Sequence, residues 1–153
     1  MEIQEKLNST GLQWPDESPA PMANYVTVRR TGNLLFVSGA GPFVNGKPVY
    51  QGRVGAEVTL EEAREASRIT VVNLLSMVSS EVADLHKIKI IKLLAFVNSA
   101  PDFYDQPKVI DAASDLFAEL LGEKGKHARS AIGTSVLPFN IPVEIEMVAE
   151  IED

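Results

Sequence analysis

The ten residues Ile88–Val97, IKIIKLLAFV, are almost continuously apolar. A strand with one wet face alternates, so this run predicts a central strand covered on both faces, ended by Pro101. Helical patterns flank it on each side. Upstream, Thr59-Leu60-Glu61-Glu62 forms a capping box, in which Thr59 and Glu62 each satisfy an orphan backbone donor. The helix it starts carries Leu60, Ala63, Val71, Leu74, Leu75, Val78, Val82 and Leu85 on one face, roughly six turns. Ile69 and Val72 fall on the far side, as either a second contact surface or scattered exposed apolars. Downstream, a helix is expected from Gln106 to Leu121, with Pro107 in its first turn and Gly122 as its stop. Its stripe is Val109, Ala113, Leu116, Phe117 and Leu120.

The remaining segments read as strands. Tyr25–Arg30 alternates into a turn at Thr31-Gly32-Asn33, and Leu34–Val37 then runs into Ser38-Gly39-Ala40-Gly41-Pro42. Asn45-Gly46 is a hairpin-type turn that folds Phe43–Val49 back on itself. The last two strands are expected at about Arg129–Val136 and Val143–Ile151. In the final one Val143, Ile145, Met147, Ala149 and Ile151 share a face, opposite Glu144, Glu146, Val148, Glu150 and Glu152. This order predicts an α+β sandwich with two helices on one face of a mostly antiparallel sheet. The other face would be open. Val37, Ile91, Leu93 and Val97 read as apolar residues for both sides, which predicts an oligomer. Residues 1–22 are polar and hold Pro15, Pro19 and Pro21. They read as an N-terminal arm, with a short helix at Ile3–Ser9, ahead of a single domain at 23–153.

At 153 residues, with 45% hydrophobic and 23% charged residues, the composition is that of an ordinary soluble globular protein. No apolar run approaches the roughly 18 residues of a membrane helix, and the first residues lack a signal-peptide pattern. The expected location is the cytoplasm. The net charge of −7, with basic residues scattered, argues against nucleic acid as the main partner. There is no cysteine. His86 and His127 are far apart with no carboxylate at ligand spacing, so no metal site is expected, and both read as loop residues. Ser38-Gly39-Ala40-Gly41 enters no helix and is not a dinucleotide loop, although its backbone could offer donors to a ligand. No cofactor is implied.

That leaves Arg129, which opens a run of small residues (Ser130, Ala131, Gly133, Thr134, Ser135), and Glu144. A guanidinium beside low side chains can present a planar fork to a carboxylate. The rival reading is a surface ion pair on an edge strand. In a simple hairpin the two residues would stand roughly 20 Å apart, too far to share a small ligand. The loop LPFNIP, with two prolines, resembles no tight turn. Either the two strands are not neighbours, or the site is completed across a subunit boundary.

The segment Gly32-Asn33-Leu34-Leu35-Phe36-Val37-Ser38-Gly39, with Tyr25 ahead of it, resembles the RidA (YjgF) family of imine deaminases. So do Ala128-Arg129-Ser130-Ala131-Ile132-Gly133 and Val143-Glu144-Ile145-Glu146-Met147. The resemblance runs through about residues 20–151, and the long arm is similar to the family's longer branch. It implies a chorismate-mutase-like fold without chorismate mutase activity, and a homotrimer with three intersubunit clefts. It also implies hydrolysis of small 2-imino or enamino carboxylates to 2-keto acids and ammonia. Arg129 would anchor the carboxylate, Glu144 would position water, and Tyr25 and Gly39 would line the cleft. Two positions depart from the family pattern. Ala131 replaces a frequent cysteine, which imine hydrolysis does not require as a nucleophile. Asp111 stands where the family has a ligand-contacting asparagine, and an ionised aspartate beside the arginine should weaken carboxylate binding. The alternative is a non-catalytic trimer that binds a small metabolite or regulates a partner. Ribonuclease activity, the family's older label, fits poorly with the acidic charge and the lack of an acid–base histidine pair.

Overall fold

The computed structural model describes residues 2–152. Helix α1 (Glu2–Ser9) is followed by β1 (Val28–Thr31), β2 (Leu34–Ala40) and a small hairpin of β3 (Phe43–Val44) and β4 (Lys47–Pro48). Helix α2 (Leu60–Ser79), β5 (Ile88–Asn98), α3 (Gln106–Leu121), β6 (Ala128–Thr134) and β7 (Val143–Ile151) complete the chain. The main sheet has the order β1-β2-β7-β5-β6, antiparallel except for the parallel β5–β6 pair. The fold is the expected α+β sandwich, a mixed, mostly antiparallel sheet with α2 and α3 against one face.

Local chemistry accounts for the element ends. The Thr59 hydroxyl accepts from the Glu62 N–H at 3.1 Å while the Glu62 carboxylate accepts from the Thr59 N–H at 3.0 Å. Asn45 and Gly46, both at positive φ, make the β3–β4 turn. Helix α2 stops at Ser79, earlier than the apolar stripe suggested. There the Ser79 and Ser80 hydroxyls donate to the carbonyls of Ser76 and Met77 at 2.6 and 2.7 Å, taking over acceptors the helix would have used. Val82 remains buried beyond the helix, and Leu85 opens a 3₁₀ turn. Val72 is buried and Ile69 packs on the core, so the far side of α2 is a second contact surface. The N-terminal segment packs α1 against α3 and reaches α2 at Ser18. Ile3, Leu7 and Leu12 join the common core, and Ser18 Oγ lies 2.5 Å from Ser76 Oγ.

The face assignment of β5 differs from its apolar reading. Ile88, Ile90, Leu93, Ala95 and Val97 are buried against the helices, whereas Leu94 and Phe96 are half-buried on the open face and Lys89 and Lys92 are exposed. A bulge between Ile90 and Lys92 puts Ile91 out of register, so Ile90 and Leu93 stay on one face although three apart. Within one chain β5 is therefore covered on one face only. Val37, Leu93 and Val97 all point to the helices, and the apolar residues of the open face are instead Phe36, Leu94, Phe96, Ile132 and Val148. No helix among the described residues is long and apolar enough to cross a membrane.

Because Leu7 has no solvent exposure and belongs to the shared core, Leu7→Ala should lower unfolding stability by about 2–5 kcal/mol. Chemical denaturation checks this. A change near zero would mean that α1 folds independently of the sheet.

Candidate functional site: two half-sites on opposite faces of one sheet

Arg129 lies on the edge strand β6, opposite Leu93 of β5, and so points to the helix side of the sheet. There α3 presents one stripe to it, Pro107, Asp111 and Ser114, at spacings of four and three. Arg129 Nη2 donates to Asp111 Oδ1 at 2.7 Å and to the Pro107 carbonyl at 3.4 Å, while Nη1 donates to Ser114 Oγ at 3.0 Å. The Arg129 side chain is 24% exposed and that of Asp111 48%. Ala131, two residues along the same strand face, packs against the core and has no polar side-chain atom to offer.

His127 completes this group. It is a loop residue, as expected, but a half-buried one. Its ring stands edge-on to buried Phe117, with centroids 5.6 Å apart. Nδ1 lies 2.7 Å from the Gly125 carbonyl, to which it must donate, and Nε2 lies 2.9 Å from Ser114 Oγ. Ser114 accepts from Arg129, so its own proton points at Nε2. A neutral imidazole with its proton on Nδ1 satisfies every member of this chain. Burial lowers the His127 pKa below 6.5, the Gly125 hydrogen bond opposes that, and the Arg129 charge adds to it. Sequence patterning missed Ser114 and His127 as partners of Arg129. The available signal was the 107-111-114 stripe on α3.

Glu144, Gly39 and Tyr25 form a second group. Glu144 lies opposite Phe96 on β7, which places it on the open face. Burial, and secondarily the charge of Glu146, raise its pKa above 4.5. Gly39 is where the carboxylate comes close, since a Cβ there would meet Glu144 Cδ at 3.1 Å. Both line a cavity of about 920 Å³ together with Tyr25, Asn73 and Phe139, and residues 15–22 of the N-terminal segment form one wall. Tyr25 Oη accepts from the Met22 N–H at 3.3 Å, which ties the wall to the ring. Buried Asn73 fixes the floor by donating to the carbonyls of Gly41 and Phe43. The loop between β6 and β7 is a 3₁₀ turn, Pro138–Asn140, with Phe139 and Asn140 both at positive φ. That backbone is held by Gln51, which donates to the Phe139 carbonyl at 2.8 Å, and by Asn98, which donates to that of Ile141 at 3.1 Å. Phe139 consequently stands over the cavity 56% exposed.

The structure thus brings Arg129, Asp111 and Ala131 together, and separately brings Tyr25, Gly39 and Glu144 together. It does not join the two groups. Strand β5 lies between β6 and β7, so these are not neighbours. Arg129 and Glu144 are offset by about three residues along β5 and two strands across, roughly 14 Å, and they point to opposite faces.

A two-layer α+β sandwich with an arginine on the edge strand and a glutamate on the open face defines the architectural class. The sequence profile described as "YjgF/chorismate_mutase-like, putative endoribonuclease" matches residues 4–151, and the chain belongs to this RidA/YjgF family. Protein TCP17 of Trypanosoma cruzi is 35% identical over 153 residues, covering 99% of this chain and 95% of that protein. The crystal structure of Atu1372 from Agrobacterium tumefaciens is 42% identical with a TM-score of 0.92, covering 99% of this chain and 93% of that one. E. coli TdcF with bound serine shares the fold at 20% identity and a TM-score of 0.65, over 90% and 94% of the two chains.

The two shifted groups give opposite pH effects on stability. His127 binds protons less readily folded than unfolded, so its stabilisation is lost as pH falls through 6.5 toward the lowered folded value. Glu144 holds its proton more tightly when folded, so its contribution is lost as pH rises from 4.5 through the raised value. In thermal melts from about pH 4 to about pH 8, His127→Gln should flatten the acid-side decline and Glu144→Gln the loss on the rising limb. Unchanged profiles would contradict these environments.

Proposed function

We propose that the protein is an imine/enamine deaminase working as a homotrimer, in which the Arg129 group of one subunit faces the Glu144 group of the next. The observation that carries this reading is the placement of two complementary half-sites on opposite faces of one chain. Neither is sufficient alone. On the arginine side the Asp111 carboxylate is engaged as counter-ion at 2.7 Å, and Glu144 has no cationic residue among the cavity's lining. The open face of Phe36, Leu94, Phe96 and Val148 is the apolar surface such an assembly would bury.

The chemistry asked of the site is modest. Arg129 orients the carboxylate of a 2-imino acid, and Glu144 accepts a proton from water as its oxygen bonds to C2. The proton held by Glu144 passes to the nitrogen of the resulting carbinolamine, the C–N bond breaks as the C2 hydroxyl gives up its proton to form the carbonyl, and the products are the 2-keto acid and ammonia. A carboxylate with a raised pKa is a better base for that step than an ordinary surface glutamate. TdcF, which binds serine, offers an amino-acid-sized precedent for such a cleft. A second reading, a non-catalytic trimer that binds a small metabolite, is favoured by the Asp111 carboxylate already seated on the arginine.

Generating 2-aminoacrylate with a PLP-dependent dehydratase and timing pyruvate release tests the proposal. Acceleration over buffer is expected, with a loss of about a hundredfold in Arg129→Ala. No acceleration, or full activity in Arg129→Ala, overturns it. Light scattering should report a trimer that Phe36→Glu dissociates by burying a charge on the open face. A monomeric wild type would remove the intersubunit site.

A further inference from the structure

Asp111 turns Arg129 from a plain anion anchor into a paired donor–acceptor surface, and this bears on which ligands the site prefers. The pair is close, at 2.7 Å, and both members reach solvent. Each keeps capacity toward that solvent. Arg129 has five N–H groups, of which those bonded to Ser114, Asp111 and the Pro107 carbonyl account for only part. The second oxygen of Asp111 makes no hydrogen bond among the described residues. The Ser114–His127 chain holds the inner side of the guanidinium, so the fork cannot turn away from Asp111 without breaking it.

A bare carboxylate meets this surface poorly. It gains hydrogen bonds from Arg129 but lies against an aspartate, and like charges at such range disfavour each other. A ligand with a carboxylate and an adjacent nitrogen bearing protons meets it well, because the nitrogen donates to Asp111 while the carboxylate accepts from Arg129. α-Amino acids and protonated 2-imino acids have that arrangement. The 2-keto acids formed from them have lost the donor.

We propose that Asp111 is the specificity-determining residue of the Arg129 half-site, selecting carboxylates with an adjacent N–H⁺ donor and rejecting the corresponding 2-keto acids. This rests on the deaminase reading for its biological sense, where it would favour substrate over product and hasten product release. The selectivity itself is a property of binding and holds whether or not the site turns anything over. Asp111 is half-exposed and asparagine is nearly isosteric with it, so Asp111→Asn keeps the hydrogen bond to Arg129 while removing the charge.

Calorimetric titration of the full-length protein with L-alanine and with pyruvate tests the inference directly. The wild type should bind L-alanine about tenfold more tightly than pyruvate, the worth of one charge-assisted hydrogen bond. In Asp111→Asn pyruvate should tighten, L-alanine should weaken, and the ratio should fall toward one. Ser114→Ala, which frees the guanidinium, should weaken both probes while leaving the preference in place. Equal binding of the two probes by the wild type, no binding of either, or an unchanged ratio in Asp111→Asn overturns the inference. Loss of the deaminase reading looks different. There 2-aminoacrylate hydrolysis is not accelerated, yet the preference for L-alanine and its dependence on Asp111 persist.

Discussion

Strand β5 pairs in parallel with β6 on one side and antiparallel with β7 on the other, and the layout of charge in the molecule depends on that placement. With β5 interposed, the arginine and glutamate of the C-terminal stretch cannot meet as members of a hairpin. The parity of the pairings then decides their faces. Arg129 takes the side of Leu93 and Glu144 the side of Phe96, and a shift of one residue in either register would reverse the assignment. The bulge at Ile91 serves the same end, keeping Ile88, Ile90 and Leu93 on the helix side along the whole strand. The result is a chain that presents an ion-paired, helix-backed edge in one direction and an acidic, aromatic-lined cavity in another.

What surrounds Arg129 is a directional chain of hydrogen bonds, from Arg129 to Ser114 to His127 to the Gly125 carbonyl, with Asp111 as counter-ion. Each link of this chain has its acceptor, which holds the half-buried guanidinium in one place while its remaining N–H groups face solvent. The same closure fixes the histidine tautomer and explains why burial can keep that ring neutral. Around the cavity that Glu144 lines, the constraints are one close approach and a set of hydrogen bonds to loop carbonyls. Gly39 gives Glu144 room, Asn73 pins the loop below it, and Gln51 and Asn98 hold two residues at positive φ so that Phe139 overhangs the cavity.

Much of the architecture was legible from periodicity and end signals. The capping box at Thr59, the Pro107 and Gly122 limits of α3, the Asn45-Gly46 turn and the alternation of β7 are local features, and local features are written in local sequence. Within the candidate site, Arg129 stood out because its neighbours are small. The pairing of Arg129 with Ser114 and His127 was hidden, since it joins residues 15 and 13 positions apart through a helix–strand contact that no short window contains. The apolar run of β5 was misjudged for a related reason. Apolar residues at nearly every position hide the alternation that would separate its faces, and the bulge turns only Ile91 away from Leu93 and Val97, which are four apart and serve one side. The N-terminal segment looked polar and proline-rich, yet Ile3, Leu7 and Leu12 are spaced to reach the core from outside the sheet.

The central claim is that Arg129 and Glu144 act together only across a boundary between chains. Mixed oligomers test it most directly. Arg129→Ala and Glu144→Ala chains, each inactive alone, are unfolded together, refolded into shared oligomers, and assayed for 2-aminoacrylate hydrolysis. The account predicts that the mixture regains activity neither parent has, because some boundaries then pair an intact arginine with an intact glutamate. A mixture that forms the same oligomer and stays as inactive as its parents would contradict it.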